Sequence, residues 1–314
     1  MSGETRTLAE FAANLNYEDI PGAVVERAKD CLIDTIGAAV FGSTMPWSKI
    51  VAGYAKANGS GGSCTILGPD GIRATPPMAA LANGALAHAF EMDSLRQPSA
   101  GIHPGSTLGP PVLAMAESTG ASGRDLITAF IAGNEVMSRI GLASKHSSEK
   151  LGFHAPGLVG PIGGAAAIGR LLEFDADQIV NAMGVAGSLS SGLLEFVRSG
   201  TGGMVKRLHM GRASEGAVLA ATVGALFLQR DGHCYVAIGV RYCPADNDVA
   251  IICFDSRTPE SPVTLIDKER VGREVAGREK TSWQVLVVYE GYELSEEEGR
   301  RLSRNVKLTC NKTG

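Results

Sequence analysis

A short segment of the chain concentrates side chains that can accept, donate and transfer protons. His88, Glu91 and Asp93 follow an alanine-rich apolar stretch, and Arg96 and His103 come within the next ten positions. A carboxylate and imidazoles at the end of a packed helix are the groups that proton abstraction beside a carbonyl requires. The same pattern also fits a solvated polar helix end, and His88 on the apolar stretch fits a core histidine.

Two histidines in this chain are followed closely by proline and glycine. His103 precedes Pro104 and Gly105, and His154 lies in the sequence Gly-Phe-His-Ala-Pro-Gly. Both imidazoles are therefore predicted to lie in rigid turns. A neutral imidazole accepts a proton near pH 7, and its conjugate acid can return one to a leaving hydroxyl. Taken alone, either residue would also fit an ordinary loop histidine.

A cationic sequence begins the longest predicted helix. Lys206, Arg207 and His209 follow the glycine-rich run 200–203. Removal of a proton alpha to a carboxylate builds negative charge on the carboxylate oxygens, which fixed cations and helix-start amides stabilise. Arginine binds carboxylate through two nitrogens, whereas lysine acts as a point charge or an acid. The alternative is a basic surface patch.

Helices must position these groups, because the chain from residue 5 to about 230 is rich in alanine and glycine with helical periodicity. The predicted helices are Val24–Phe41, Ser122–Ile140 with a capping box at Ser122 and Asp125, Ala176–Gly187 and Met204–Gln229. One apolar stripe on the first helix comprises Val24, Val25, Ala28, Cys31, Leu32, Ile36 and Ala39. The one extended piece predicted in this part is Cys64–Gly68.

The character of the sequence changes near residue 230. Short β-branched or aromatic runs, separated by turn residues, predict strands at 235–242, 248–254, 263–267 and 283–289, and a capped helix at 295–302. We therefore predict a mainly α protein. Residues 1–230 form a helical catalytic domain, and 231–314 form a small α/β segment.

Composition excludes several classes of function. A net charge of −4 over 314 residues gives no basic footprint for nucleic acid. We expect no membrane partner, because Gly, Ser or charge interrupts each apolar run before it reaches spanning length. The first residues lack an apolar signal core, which predicts a cytoplasmic protein. The six cysteines have no CxxC spacing, so no metal centre and no cofactor are expected.

Several short motifs, in this order, resemble the MmgE/PrpD family over residues 5–228. They are the His-Ala-Phe-Glu-Met-Asp and His-Pro-Gly sequences of 88–105, and the runs 150–157, 190–196 and 203–212. Known activities in that family are 2-methylcitrate dehydratase, iminodisuccinate epimerase and cis-aconitate decarboxylase. The resemblance implies a homodimeric lyase or isomerase that acts on a small di- or tricarboxylate.

The resemblance also implies roles for individual residues. Asp93 or His154 would abstract the proton, and His103 would handle the departing or returning proton. The cations Lys206 and Arg207, with His209, would hold the substrate carboxylates. Dehydration, epimerisation and decarboxylation all stay open, because each can proceed through a carbanion-like intermediate.

The chain departs from the family pattern in two places. Where the family has a sequence close to Asp-Phe-Asp-Asp-Thr-His, Ser94 replaces an acid and Arg96 replaces a histidine, which puts the choice of substrate in doubt. The match ends near residue 228, where family members continue into a separate α/β domain, so we expect a truncated or rearranged member. The alternative is a catalytically silent paralogue that binds polycarboxylates or serves only as a helical dimerising protein.

Overall fold

A computed structural model describes residues 3–98, 101–198, 200 and 203–224, together with the backbone of four strands between 227 and 267. The chain divides into two compact units, Met1–Gly224 and Ala225–Gly314. In the first unit, the described residues form ten α-helices, two short 3-10 helices and a two-stranded hairpin. The mainly α fold expected from the sequence is confirmed. The domain boundary at residue 230 stays a prediction.

The helices follow one another with short connections. Their bounds are α1 Glu4–Asn14, α2 Gly22–Gly42, α3 Pro46–Asn58, α4 Pro76–Ala87, α5 Pro104–Thr119, α6 Gly123–Ser144, α7 Ser147–Lys150, α8 Ala155–Leu171, α9 Ala176–Leu189 and α10 Gly203–Gly224. The 3-10 helices are Tyr17–Asp19 and Leu194–Arg198. Strand β1, Cys64–Thr65, pairs antiparallel with β2, Arg73–Ala74, at the position where an extended piece was predicted.

Helix α10 lies at the centre of this unit and packs against α4, α5, α8 and α9. Glycines allow α4 and α10 to approach closely. A Cβ atom added at Gly84 would lie 2.6 Å from Ser214 Oγ, and one added at Gly211 would collide with the backbone oxygen of Leu81. This close crossing brings the end of α4 beside the start of α10, where Arg207 Nε donates to the carbonyl of Ala89 at 3.3 Å.

Helix α5 contains two internal prolines, and a side chain of α10 bonds the carbonyl groups that these prolines leave without a helical partner. Pro110 and Pro111 lack backbone N–H groups, so the helix cannot satisfy the carbonyls of Ser106 and Thr107 in the usual way. The hydroxyl of Ser214 lies 3.3 and 3.4 Å from these two oxygens and donates to them. The start of α5 is therefore fixed to α10 by a side chain of the buried core.

Helix α6 has the predicted capping box, in which Ser122 and Asp125 bond reciprocally. By length and composition it is the one helix among the described residues that could cross a membrane, with 56% of its apolar window buried. It is thus an exception to the expectation that no apolar run reaches that length. A buried core helix has the same composition, and α6 packs on α8.

Two details of the helices differ from the sequence prediction. On α2, Val25, Ala28 and Ala39 are buried as predicted, but Val24 and Ile36 are exposed. The buried stripe is therefore narrower than expected. The helix predicted at Met204–Gln229 ends at Gly224, and Phe227–Arg230 is a strand. The sequence Asp-Gly at 231–232, which is typical of a two-residue hairpin, separates this strand from the next.

The second unit contains a four-stranded antiparallel sheet in the order β3-β4-β5-β6. The strands are β3 Phe227–Arg230, β4 His233–Cys243, β5 Asp248–Asp255 and β6 Val263–Asp267. A bulge interrupts the β4–β5 register between Ala237 and Gly239. The strands predicted at 235–242, 248–254 and 263–267 are confirmed, whereas the strand predicted at 283–289 and the helix predicted at 295–302 lie outside the described residues.

Candidate functional site

The loop after α4 and the first turn of α10 meet in a group of charges that we call the open cluster: Glu91, Lys206 and Arg207. Lys206 Nζ donates to Glu91 Oε2 at 2.6 Å, and Arg207 Nη1 donates to Glu91 Oε1 at 3.0 Å. The Glu91 side chain is 40% exposed, and the two cations are about half as exposed. The open cluster thus presents a carboxylate and two cations to solvent.

Glu91 holds this position with an unusual backbone. Its φ angle is +59°, in the left-handed region that non-glycine residues adopt at a cost of about 1 kcal/mol or more. Partial burial by itself would raise the pKa of Glu91, but the hydrogen bond from Lys206 and the charges of His88 and Arg207 lower it below the ordinary value. Strain of this kind accumulates at functional sites.

Asp93, two residues after Glu91, belongs to a second group. We call this group the buried cluster: His88, Asp93, His103 and Ser106. The carboxylate of Asp93 accepts a hydrogen bond from His88 Nδ1 at 2.7 Å and one from Ser106 Oγ at 2.6 Å. His103 Nδ1 lies 3.1 Å from Asp93 Oδ2, and the side chain of Asp93 has no exposed surface. This carboxylate is therefore fully enclosed by its partners.

The electrostatics of the buried cluster favour an ionised Asp93. Burial by itself would raise the pKa of this carboxyl group, but the neighbouring imidazoles of His103 and His88 hold it well below its usual range. The ring of His88 packs edge-on against the ring of His103, with centroids 4.8 Å apart. Asp93 thus holds His88 by a hydrogen bond and lies beside His103, whose Nδ1 has no hydrogen-bond partner among the described residues.

His88 joins the buried cluster to the open cluster. Its side chain is completely buried, which agrees with a core position, but its Nδ1 is bound to Asp93. Its Nε2 lies 3.6 Å from Glu91 Oε1 and has no hydrogen-bond partner. The residue is therefore a polar link between two carboxylates rather than a packing residue alone.

A third group consists of two histidines beside an aromatic ring. His154 Nδ1 and His209 Nδ1 lie 3.1 Å apart, and the ring of Phe196 packs edge-on against both. Gly192, with φ of +117°, passes so close that an added Cβ would lie 3.3 Å from the His209 ring. The backbone N–H of His154 donates to the carbonyl of Gly192, so this loop fixes the pair.

The surroundings of His154 and His209 lower the pKa of both residues and so favour their neutral forms. Burial, followed by the charges of His209 and Lys206, lowers the pKa of His154 to about 3. Burial, followed by the charge of His88, also lowers the pKa of His209. His209 lies three residues after Lys206 on α10, so the histidine pair adjoins the open cluster along that helix. Near pH 7, His154 can donate or accept a hydrogen bond without carrying charge.

His103 and His154 were predicted in rigid turns, but each precedes the first residue of a helix. His103 caps α5, which begins with Pro104, and His154 caps α8, which has Pro156 in its first turn. Proline is favoured in the first turn of a helix because its missing N–H would have no helical partner there. The two prolines therefore initiate helices and do not form loops.

The six residues predicted from the sequence are brought together in this site. Lys206 and Arg207 lie in the open cluster, Asp93 and His103 in the buried cluster, and His154 contacts His209. The linking role of His88 and the hydroxyl of Ser106 were missed. The three-residue spacing from His88 to Glu91 and from His103 to Ser106 is the signal that could have indicated both.

Metal binding is the other chemistry that the buried cluster could support. Among the described residues, His88, Asp93 and His103 offer ligand atoms within 4.8 Å of one another. Both oxygens of Asp93 are already occupied by the His88 N–H and the Ser106 hydroxyl. This arrangement suits a hydrogen-bonded cluster better than a metal centre. The absence of a metal stays a prediction.

Comparison with known proteins places this site in a family context. The MmgE/PrpD N-terminal domain matches residues 6–225. Cis-aconitate decarboxylase of Aspergillus terreus is 34% identical over 225 residues, which cover 69% of this chain and 45% of that protein. Cis-aconitate decarboxylase of Homo sapiens is 31% identical over 230 residues, which cover 72% of this chain and 47% of that protein.

A cis-aconitate decarboxylase-like protein of Aspergillus oryzae is similar at the same level, with 32% identity over 238 residues. That match covers 73% of this chain and 47% of the relative. The chain spans about half the length of the curated relatives that it matches. All six predicted site residues lie within the matched region.

Proposed function

Because the chain belongs to the MmgE/PrpD family, we propose that its helical unit carries the proton-transfer site of a lyase that acts on a small di- or tricarboxylic acid. The observation that supports this function most is the open cluster. Lys206 and Arg207 hold a carboxylate that is itself partly exposed, at 2.6 and 3.0 Å. A substrate carboxylate has the same chemistry as the Glu91 side chain, so the same cations can bind it.

We assign the proton-accepting role to Glu91. When a substrate carboxylate pairs with Lys206 and Arg207, Glu91 loses part of what stabilises its anion and becomes more basic. Asp93, which the sequence suggested as the base, has no accessible side-chain atom and accepts two short hydrogen bonds. Its proposed role is to orient His103 and His88.

The histidines complete the site. The His103 side chain is 13% exposed, and Asp93 lies on its Nδ1 side, so its Nε2 can donate a proton to a leaving group. His154, with its low pKa of about 3, stays neutral at pH 7 and offers the substrate a hydrogen bond. Lys206 and Arg207 then stabilise the negative charge that develops as the proton leaves, while His209 keeps His154 in place.

Among possible substrates, cis-aconitate comes first, because the curated relatives are cis-aconitate decarboxylases. The 2-methylcitrate dehydratase reaction considered from the sequence ranks second. It begins with proton abstraction from carbon, whereas decarboxylation breaks a carbon–carbon bond and ends with proton addition to carbon. In each reaction a carbanion-like centre forms beside a carboxylate. The open cluster suits that step whichever bond then breaks.

The proposed function can be tested with cis-aconitate, citrate and 2-methylcitrate in deuterated water. Proton NMR would follow deuterium incorporation and the loss of carbon dioxide or water, while a thermal melt would report binding. We expect binding and turnover in the native chain. Lys206→Ala should weaken binding and lower turnover by roughly 10²-fold or more, whereas the exposed Lys56→Ala on α3 serves as a matched control that should change neither.

The alternative is a protein that binds polycarboxylates without turning them over. The observation that favours it is the exposure of Glu91, because charges in contact with water interact several-fold more weakly than charges in a dry cleft. A rise in melting temperature without deuterium incorporation would support this alternative. No binding by any of the three acids would contradict both functions.

The homodimer is a further proposal. Helix α2 exposes Ile33, Ile36, Val40 and Phe41 at spacings that place them on one side of the helix. Neighbouring exposed apolar side chains are typical of surfaces that bind a partner. Light scattering should give about twice the chain mass of 32.6 kDa, and a value at the chain mass would contradict this. The cytoplasmic location stays a prediction.

A further inference from the structure

The contact between His154 and His209 fixes how many protons lie between the two rings. Their Nδ1 atoms are 3.1 Å apart, which is the distance of a hydrogen bond. Two unprotonated nitrogens at this distance would repel each other as acceptors, and two N–H groups would clash. One proton therefore lies between the rings, and it belongs to one ring or the other.

The charge state of the pair fixes the place of the remaining proton. Burial lowers the pKa of both residues, so each ring carries a single proton near pH 7. The ring that donates through Nδ1 has an unprotonated Nε2, whereas the ring that accepts through Nδ1 carries its proton on Nε2. The direction of one hydrogen bond thus decides which ring can donate to a ligand.

The other contacts of the pair hold the rings in place without selecting a direction. The ring of Phe196 packs edge-on against both imidazoles, with centroids 5.5 and 5.7 Å away. The Gly192 carbonyl accepts from the backbone N–H of His154, not from its ring. The bond between the two Nδ1 atoms is therefore the contact that selects a tautomer, that is, which nitrogen of each ring is protonated.

The chemistry of the ligand determines the direction of this bond. In the proposed function, His154 offers a hydrogen bond to a substrate that carries carboxylates. Because an ionised carboxylate only accepts hydrogen bonds, His154 must carry its proton on Nε2. Its Nδ1 is then the acceptor of the pair, and His209 Nδ1 is the donor.

We propose that His209 is a positioning residue that sets the tautomer of His154. This inference rests on the proposed function and extends it, because His209 does more than keep the neighbouring ring in place. It donates its Nδ1 proton to His154 Nδ1 and so leaves the His154 proton on the nitrogen that binds the substrate. A donor that is set before the substrate arrives needs no reorganisation during the reaction, so we assign this tautomer to the resting chain.

Nitrogen-15 NMR of the full chain with labelled histidine tests this assignment without requiring turnover. The two ring nitrogens of a neutral histidine give different signals according to which one is protonated, and single His154→Asn and His209→Asn variants identify the signals of the pair. At pH 7 we expect His154 to be protonated on Nε2 and His209 on Nδ1. The reverse assignment, or a mixture of the two tautomers, would overturn the proposal.

Two substitutions of His209 separate its hydrogen bond from its packing. His209→Asn keeps an N–H donor near the position of Nδ1, whereas His209→Leu keeps apolar bulk beside Phe196 but has no donor. We expect the His154 proton to stay on Nε2 in the Asn variant and to spread over both nitrogens in the Leu variant. Turnover should be lower in the Leu variant by roughly 10-fold. A role in packing alone predicts the opposite order, because leucine fills an apolar contact better than asparagine does.

The measurements distinguish failure of this proposal from failure of the proposed function. A His154 proton that stays on Nε2 in His209→Leu would show that His209 does not set the tautomer. If that variant does not fold, the NMR assignment of the native chain decides the direction of the bond by itself. A native chain with the expected tautomers that converts none of the acids refutes the proposed function. Conversion by a chain whose His154 is protonated on Nδ1 refutes only the role of His209.

Discussion

The open cluster and the buried cluster each contain one carboxylate from the loop after α4, and these two carboxylates, Glu91 and Asp93, are only two residues apart. Glu91 is 40% exposed and is held by two cations, whereas Asp93 is inaccessible and is held by imidazoles and a hydroxyl. The same functional group therefore acquires different properties from its surroundings. We attribute substrate chemistry to the open cluster, and orientation and stability to the buried one.

The largest effect on stability is expected from Asp93. Asp93→Asn removes the charge that faces two imidazoles, and breaking a buried pair in this way costs about 3–5 kcal/mol. Ser106→Ala removes one hydrogen bond to the same ionised carboxylate and should cost less, about 1.5–3 kcal/mol. Urea unfolding measures both. An Asp93→Asn variant as stable as the native chain would contradict the assignment of the buried cluster.

The next effect concerns catalysis in the open cluster. Lys206→Ala removes a cation that lies 2.6 Å from the carboxylate position and should lower turnover of the preferred acid by roughly 10²-fold or more. The free energy of unfolding should change little, because the side chain is partly exposed. Initial rates and thermal melts are the measurements. An unchanged rate would remove Lys206 from the mechanism.

A smaller effect is expected from pH, through the histidine pair. The pKa of His154 is lowered to about 3, so below pH 6.5 the unfolded chain binds a proton that the folded chain does not. Stability should therefore fall as the pH falls, by about 2 kcal/mol between pH 6.5 and 5. His209, whose pKa is also lowered, adds in the same direction.

The pH effect has its own control. Because the pKa of Asp93 is also lowered, its contribution is present above its unfolded value of about 3.9 and is lost only at lower pH. The window between pH 6.5 and 5 thus isolates the histidines. His154→Asn should flatten the decline in urea midpoints over this window, and an equally steep decline would show that other groups cause it.

The sequence predicted the mainly α class and four of the ten α-helices that the structure describes. Local signals were sufficient where the cause is local, as in the capping box at Ser122 and Asp125. The end of α10 at Gly224 was mispredicted because the apolar sequence continues past it through residues 225–228. The Asp-Gly sequence at 231–232, which indicates a hairpin, was given too little weight.

The candidate site shows where sequence reasoning stops. The six predicted residues do lie together, but nothing local distinguishes the environment of Asp93 from that of Glu91. That difference arises from tertiary packing, because Ser106 comes from the start of α5 while Lys206 and Arg207 come from α10. The linking role of His88 was missed because its position on an apolar helix favoured a core histidine, although its partners Glu91 and Asp93 lie only three and five residues away in sequence.

The most direct test of these assignments is deuterium exchange by Glu91→Gln, compared with the native chain, on the acid that the native chain exchanges fastest. The amide keeps the size of the side chain but cannot accept the proton. We predict that exchange falls by at least about 10²-fold, while the acid still raises the melting temperature and stability changes by less than about 1 kcal/mol. Exchange at the native rate would show that Glu91 is not the proton acceptor and would contradict the division of roles between the two clusters.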